Sequence, residues 1–187
     1  LLDEAKKQVK QVINEKNPDI PEDEKDEIAE TIGSGAIKYF DLSQNRTSDV
    51  TFTWDKVLNF EGNTGPYLQY TYVRIMSIFR KLKEENIILE NEEIVLKNTD
   101  DVERELAVSL LRFPQFVVKA YETLKPNIIA EYLFDTAKLF NNFYNSKQIL
   151  KEENPKIRDA RILLSKKTAF ILKQGLDLLG INTVNRM

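Results

Sequence analysis

The chain has 187 residues, 42% of them hydrophobic, with 27 Lys and Arg against 30 Asp and Glu for a net charge of −3. That composition suffices for one sizeable core, or for one domain joined to part of another, and no apolar run approaches the ~20 residues of a membrane span. Cys and His are absent, which excludes disulfides, thiolate nucleophiles, histidine general bases and the usual zinc ligands. No pair of acidic residues has a spacing that marks a site over a solvated helix face.

The opening Leu1-Leu2-Asp3-Glu4 resembles neither a signal peptide nor an initiation site, so the chain reads as part of a longer one. Leu1, Leu2, Ala5, Val9, Val12 and Ile13 recur at the three-to-four spacing of an amphipathic helix, which should stop near Asn17-Pro18. Pro21 starts a second helix whose first turns carry Glu22, Asp23, Glu24 and Asp26, favourable to the positive helix N-terminus. Its apolar side is Ile28, Ala29, Ile32, Ala36, Ile37, Phe40 and Leu42. Gly33 and Gly35 inside it cost stability and predict the close approach of another helix. Residues 43–53 turn polar and then alternate through Val50 and Phe52, which predicts a short extended segment. Trp54 to Phe60 reads as a short helix packing Trp54, Val57 and Leu58 inward.

Next comes Gly62-Asn63-Thr64-Gly65-Pro66-Tyr67-Leu68-Gln69-Tyr70-Thr71-Tyr72-Val73-Arg74-Ile75. Two glycines three apart permit positive φ and close backbone approach. Pro66 suits the first helical turn, and Thr64 or Gly65 can cap it. The helix should run to about Glu85 and bury Leu68, Tyr72, Ile75, Ile78, Phe79 and Leu82. Tyr67, Tyr70 and Arg74 fall at i, i+3 and i+7, on one face. Rings and a guanidinium in a line can form a platform for unstacked RNA bases. They can equally be half-buried core rings beside a solvated charge.

Residues 86–98 form a weakly specified connection. Asp100 with Glu103 matches a cap and its reciprocal acid, opening a helix through Leu106, Leu110 and Leu111. Pro114 ends that helix and begins another, with Phe116, Val117, Ala120, Tyr121 and Leu124 as its apolar set. Pro126 repeats the break. Ile128, Ile129, Tyr132, Leu133, Thr136, Ala137, Phe140, Phe143 and Tyr144 then stripe a long helix reaching about Asn145. The last helix spans about Pro155 to Leu179, with Gly180 and Ile181 as a glycine C-cap and its hydrophobic contact. The tail Ile181 to Met187 folds back if something holds it. Seven or eight helices and almost no sheet make the class all-α, a helical bundle.

Charge is uneven along the chain. Residues 1–60 hold 8 Lys/Arg against 13 Asp/Glu (−5), residues 61–146 hold 10 against 13 (−3), and residues 147–187 hold 9 against 4 (+5). A basic end on an acidic body can steer a polyanion to one side, because exposed charges act over a Debye length of ~8 Å. The acidic first third is expected to add little affinity for such a ligand.

Several strings resemble the C-terminal part of the class I arginyl-tRNA synthetases over essentially the whole chain. They are Gly35-Ala36-Ile37-Lys38-Tyr39, Asp49 to Trp54, Asn59 to Tyr70, Leu111-Arg112-Phe113-Pro114, Ala137 with Phe140-Asn141-Asn142-Phe143-Tyr144, Gly175 to Ile181, and Arg186-Met187. The Gly62 to Tyr70 string and the Arg-Met ending are the most specific. The Asp-Ala-Leu-Arg tetrapeptide of the wider anticodon-binding family is absent; Asp159-Ala160-Arg161 is the nearest string.

The resemblance implies that residues 1–61 are the helical tail of the synthetase body, in the stem-contact region, and that residues 62–187 are an anticodon-binding bundle of the class Ia type. It implies anticodon contact by Gly62, Asn63, Thr64, Gly65, Tyr67, Tyr70, Arg74, Tyr144 and Met187, with no catalytic or metal residue here. Where the family often has Ala-His, this chain has Thr71-Tyr72. The implied partners are tRNA(Arg) and a catalytic domain earlier in the same chain, in a cytoplasmic monomer with no membrane contact. ATP would be used by that parent enzyme, with no cofactor in this part. The family's first ATP signature needs His and so cannot exist in this chain, and the second is absent, so the chain alone should not aminoacylate. A different class remains open: a helical adaptor that binds protein through its acidic first third, with no RNA role.

Overall fold

The computed structural model describes residues 1–89 and 100–187. Among these are eight helices and no strand: α1 Leu2–Lys16, α2 Glu22–Leu42, α3 Trp54–Val57, α4 Gly65–Glu84, α5 Asp101–Leu111, α6 Phe113–Thr123, α7 Asn127–Ser146 and α8 Pro155–Leu178. The helix breaks fall at the expected prolines, with Pro114 in the first turn of α6, Pro126 at the N-cap of α7 and Pro155 opening α8. The full capping box is present at α5, where Asp100 accepts from the Glu103 N–H while the Glu103 carboxylate accepts from the Asp100 N–H. Of the connection expected over residues 86–98, residues 90–98 lie outside the described residues.

Two apolar clusters form. The smaller joins α1 and α2 through Val9, Ile13, Ile28, Ala29 and Ile32, with Phe60, Val184 and Met187 packed against it. The larger gathers α4 to α8 around Leu68, Ile75, Leu106, Leu133, Phe140 and Leu172, and includes Tyr39 from α2. The glycines of α2 are where the clusters meet. A Cβ on Gly33 would lie 2.8 Å from the Lys6 nitrogen of α1. On the other side, a Cβ on Gly65 would lie 2.9 Å from the Gly35 carbonyl and 3.1 Å from Ala36 Cα, so α4 begins in backbone contact with α2.

The tail does fold back. The Gly180 turn has φ +67°, Ile181 N–H bonds to the Leu176 carbonyl at 2.9 Å, and Ile181 is fully buried. Side chains then grip the tail backbone: Lys38 donates to the Gly180 carbonyl at 2.6 Å, Gln69 to that of Asn182 at 2.8 Å and Arg80 to that of Asn185 at 2.5 Å. Arg186 pairs with Glu24.

Three expectations need correction. Tyr121 and Leu124, assigned to the buried side of α6, are 79% and 69% exposed, and Leu111 of α5 is 77% exposed. The short α6 sits at the bundle's edge against α5 and α7, so only part of its apolar face finds a neighbour. Residues 43–53 form no strand; Phe52 instead packs edge-on to Phe40 and Trp54. The basic residues of 147–187 are only partly free: Lys147 pairs with Asp100, Arg161 with Glu103 and Glu152, and Lys173 with Asp177, while Lys151, Lys156, Lys166 and Lys167 are exposed and make no ion pair among the described residues.

The glycine contacts separate two kinds of substitution. Gly65→Ala should cost about 1–3 kcal/mol, since the added methyl meets backbone that cannot turn aside. Gly62→Ala, with φ +84° but nothing within 4 Å of a Cβ, should cost only the left-handed penalty of about 1–2 kcal/mol. Urea denaturation should therefore show a loss of packing for the first, and a smaller or equal loss without repacking for the second.

Candidate RNA-binding cleft

Thr64 sets the direction of α4. Its hydroxyl donates to the Asn59 carbonyl at 2.5 Å and accepts from the Tyr67 N–H at 3.2 Å, satisfying one of the free donors at the helix start. Asn63 is anchored by Tyr39, whose hydroxyl donates to Asn63 Oδ1 at 2.6 Å and has the Ala130 carbonyl 2.9 Å away as a second acceptor. Burial, and then the charges of Asp135 and Glu131, push the Tyr39 phenol well above its ordinary pKa, so it remains a protonated donor.

With α4 held this way, Tyr67, Tyr70 and Arg74 line one cleft of about 640 Å³ together with Met187, Asn141, Phe60 and Glu61. Its opposite wall is the end of α1, through Val12, Ile13, Lys16 and Asn17. The volume lies within the ~300–1,000 Å³ typical of ligand clefts. The Arg74 guanidinium lies 4.9 Å from the Tyr70 ring centroid and 5.2 Å from that of Tyr144, so the cation contacts both rings.

Asn141 of α7 completes the arrangement. Its Oδ1 accepts from Arg74 Nη1 at 2.7 Å, and its Nδ2 donates to the Tyr67 hydroxyl at 2.8 Å and to Thr71 Oγ1 at 3.2 Å. All three of these bonds run to α4, which fixes the orientation of the amide and that of Arg74. The Tyr67 hydroxyl, already an acceptor, keeps its own proton for another partner.

The nine residues singled out from sequence thus divide. Tyr67, Tyr70, Arg74 and Met187 share the cleft, and Tyr144 joins through Arg74. Gly62 and Asn63 are exposed on the loop, whereas Thr64 and Gly65 are buried against the Asn59 backbone and α2. Asn141 was missed as a site residue, although it stands in the Phe140 to Tyr144 string. Its one signal is an amide between two buried phenylalanines on an otherwise apolar stripe. The walls from α1 carried no sequence signal. Among the described residues no cluster of three or more His, Cys, Asp and Glu could hold a metal ion.

Residues 68–187 match the family model of the DALR anticodon binding domain, and residues 1–54 match that of the catalytic domain of tRNA synthetases class I (R). The chain is 53% identical over all its residues to an arginine–tRNA ligase of Fusobacterium nucleatum and 45% identical to one of Citrobacter koseri, and it spans 32% of the length of each. Among solved structures, it superposes along its whole length on the Thermus thermophilus arginyl-tRNA synthetase (TM-score 0.89, 34% identity, 31% of that chain). The Plasmodium falciparum arginyl-tRNA synthetase is also similar over the whole chain (TM-score 0.81, 30% identity, 33% of that chain).

The network around Asn141 has a measurable consequence. Asn141→Ala leaves Arg74 Nη1 and two hydroxyls without their partner and should lower stability by about 1–3 kcal/mol. Asn141→Asp keeps an acceptor for Arg74 and should lose less at neutral pH. Chemical denaturation of both variants checks the order.

Proposed function

We propose, starting from the fact that this chain belongs to the DALR anticodon binding domain family, that its cleft receives the anticodon loop of tRNA(Arg) within a longer arginine–tRNA ligase. The observation that carries the reading is the cluster of Arg74 with the Tyr70 and Tyr144 rings at a cleft large enough for a splayed base. The relatives are arginine–tRNA ligases and span about three times this chain. The longer protein then joins arginine to tRNA(Arg) with ATP, and its catalytic domain is a partner of this part in the same chain. No residue here is assigned to ATP or arginine. The two family matches fall on either side of residue 61, which supports a division into a body segment at 1–61 and an anticodon bundle at 62–187. No helix among the described residues is long and apolar enough to cross a membrane.

In this reading the roles differ. Tyr70, 40% exposed, offers the ring face away from Arg74 to a base. Arg74, with Nη1 committed to Asn141, has other N–H groups for base or phosphate acceptors. Tyr144 backs the guanidinium, the Tyr67 hydroxyl can donate into the cleft, and Met187 supplies apolar contact. Gly62 and Asn63 meet the loop backbone, while Thr64 and Gly65 serve by placing the helix.

The test is tRNA affinity and melting temperature measured on the same variants. Tyr70→Phe keeps the ring and should be mild. Tyr70→Ala should weaken binding tenfold or more, on a scale of ~1–3 kcal/mol per stacked base. Arg74→Lys should resemble Arg74→Ala, because the planar fork is lost. A lower melting temperature with unchanged affinity refutes the reading, and no tRNA affinity at all returns the chain to the adaptor class. In a separate assay, arginine-dependent pyrophosphate exchange should be absent from this chain alone.

A further inference from the structure

The first 60 residues carry a charge of −5, yet their acids are not at the cleft. Lys6 of α1 pairs with Glu30, and Lys10 with Glu22 and Asp26, so much of the charge between α1 and α2 is cancelled along their shared edge. Lys16 stands apart. It occupies the last turn of α1, is exposed, and makes no ion pair among the described residues. Its ammonium lies 5.8 Å from the Phe60 ring centroid, which holds it at the cleft wall facing α4. The charged side chains lining the cleft are Lys16, Arg74 and Glu61, two cations to one anion on an acidic segment.

We infer that Lys16, at the end of α1, is a phosphate contact for the RNA that enters this cleft, so that the binding site is shared between the two family modules of the chain. The inference rests on the reading given under the proposed function and adds a second wall to it. A base stacked on Tyr70 brings its own backbone along, and that backbone must leave the cleft past α1 or past the exposed Gly62 loop. On the α1 side, Lys16 and the half-buried Asn17 are the polar groups available. Lysine suits this role, since it meets phosphate as a point charge and needs no fixed fork. The expectation that residues 1–60 contribute little counted total charge. At the cleft itself the side chains number two cations to one anion.

The test titrates an in vitro transcribed tRNA(Arg) against the chain between 50 and 200 mM salt. Lys16→Glu should weaken binding at least tenfold at the low-salt end, and Lys16→Ala should weaken it severalfold. The log–log salt slope should become shallower by about one contact's worth, ~0.7–0.9. Lys16→Arg should retain most of the affinity. Lys7→Glu, an equal charge change at an exposed position of the same helix outside the cleft, should leave the slope unchanged. Melting curves identify any variant that has lost its fold, and Lys16→Ala then decides in place of Lys16→Glu. If the Lys16 variants match Lys7→Glu while Arg74→Ala still loses affinity, the inference fails and the function stands. If Arg74→Ala also binds as wild type, the reading beneath it fails and takes the inference with it.

Discussion

The structure depends on how closely α2 and α4 approach. Gly35 and Gly65 let the two backbones touch, and a helix pair brought that near can exchange contacts that longer side chains would prevent. Gln69, one turn into α4, is fully buried and sends its amide to the Thr31 carbonyl of α2 and to Asn182 of the tail. A larger residue at either glycine would separate the helices and release the tail, and with it Met187.

Two further attachments convert that junction into a site. Tyr39 ties the Gly62 loop to α7 through Asn63 and Ala130, so the loop and α7 are referred to the same hydroxyl. Asn141, further along α7, then meets Arg74 and Tyr67 in register. The guanidinium is therefore oriented before any ligand arrives. Little side-chain entropy remains to be lost on binding, and pre-organised sites gain affinity in this way.

Much of this was legible in the chain itself, for definite reasons. Helix bounds followed from prolines and caps because those signals are local: Pro114, Pro126, Pro155 and the Asp100–Glu103 box all act within one turn. The Tyr67, Tyr70 and Arg74 face was legible because helical periodicity alone puts them together. Asn141 and Lys16 were not, since their positions depend on how α7 and α1 dock on α4, and periodicity within one helix carries no such information. The outward Tyr121 and Leu124 failed for the converse reason. Their spacing fits a buried face, but α6 lies at an edge where none of the described residues buries them.

The tail is held by Lys38, Gln69 and Arg80 through its main-chain carbonyls, and the asymmetry matters for inheritance. Much of the information that places the tail's main chain is written in α2 and α4. Substitutions at Asn182 or Asn185 leave the acceptor in place, whereas substitutions at the three donors remove the tether. Over generations the letters at Asn182, Thr183 and Asn185 are free to drift around a fixed path, whereas Gly180 and Ile181 make the turn and fill the core, Val184 and Met187 pack against the α1–α2 cluster, and Arg186 pairs with Glu24. Its course would outlast its spelling.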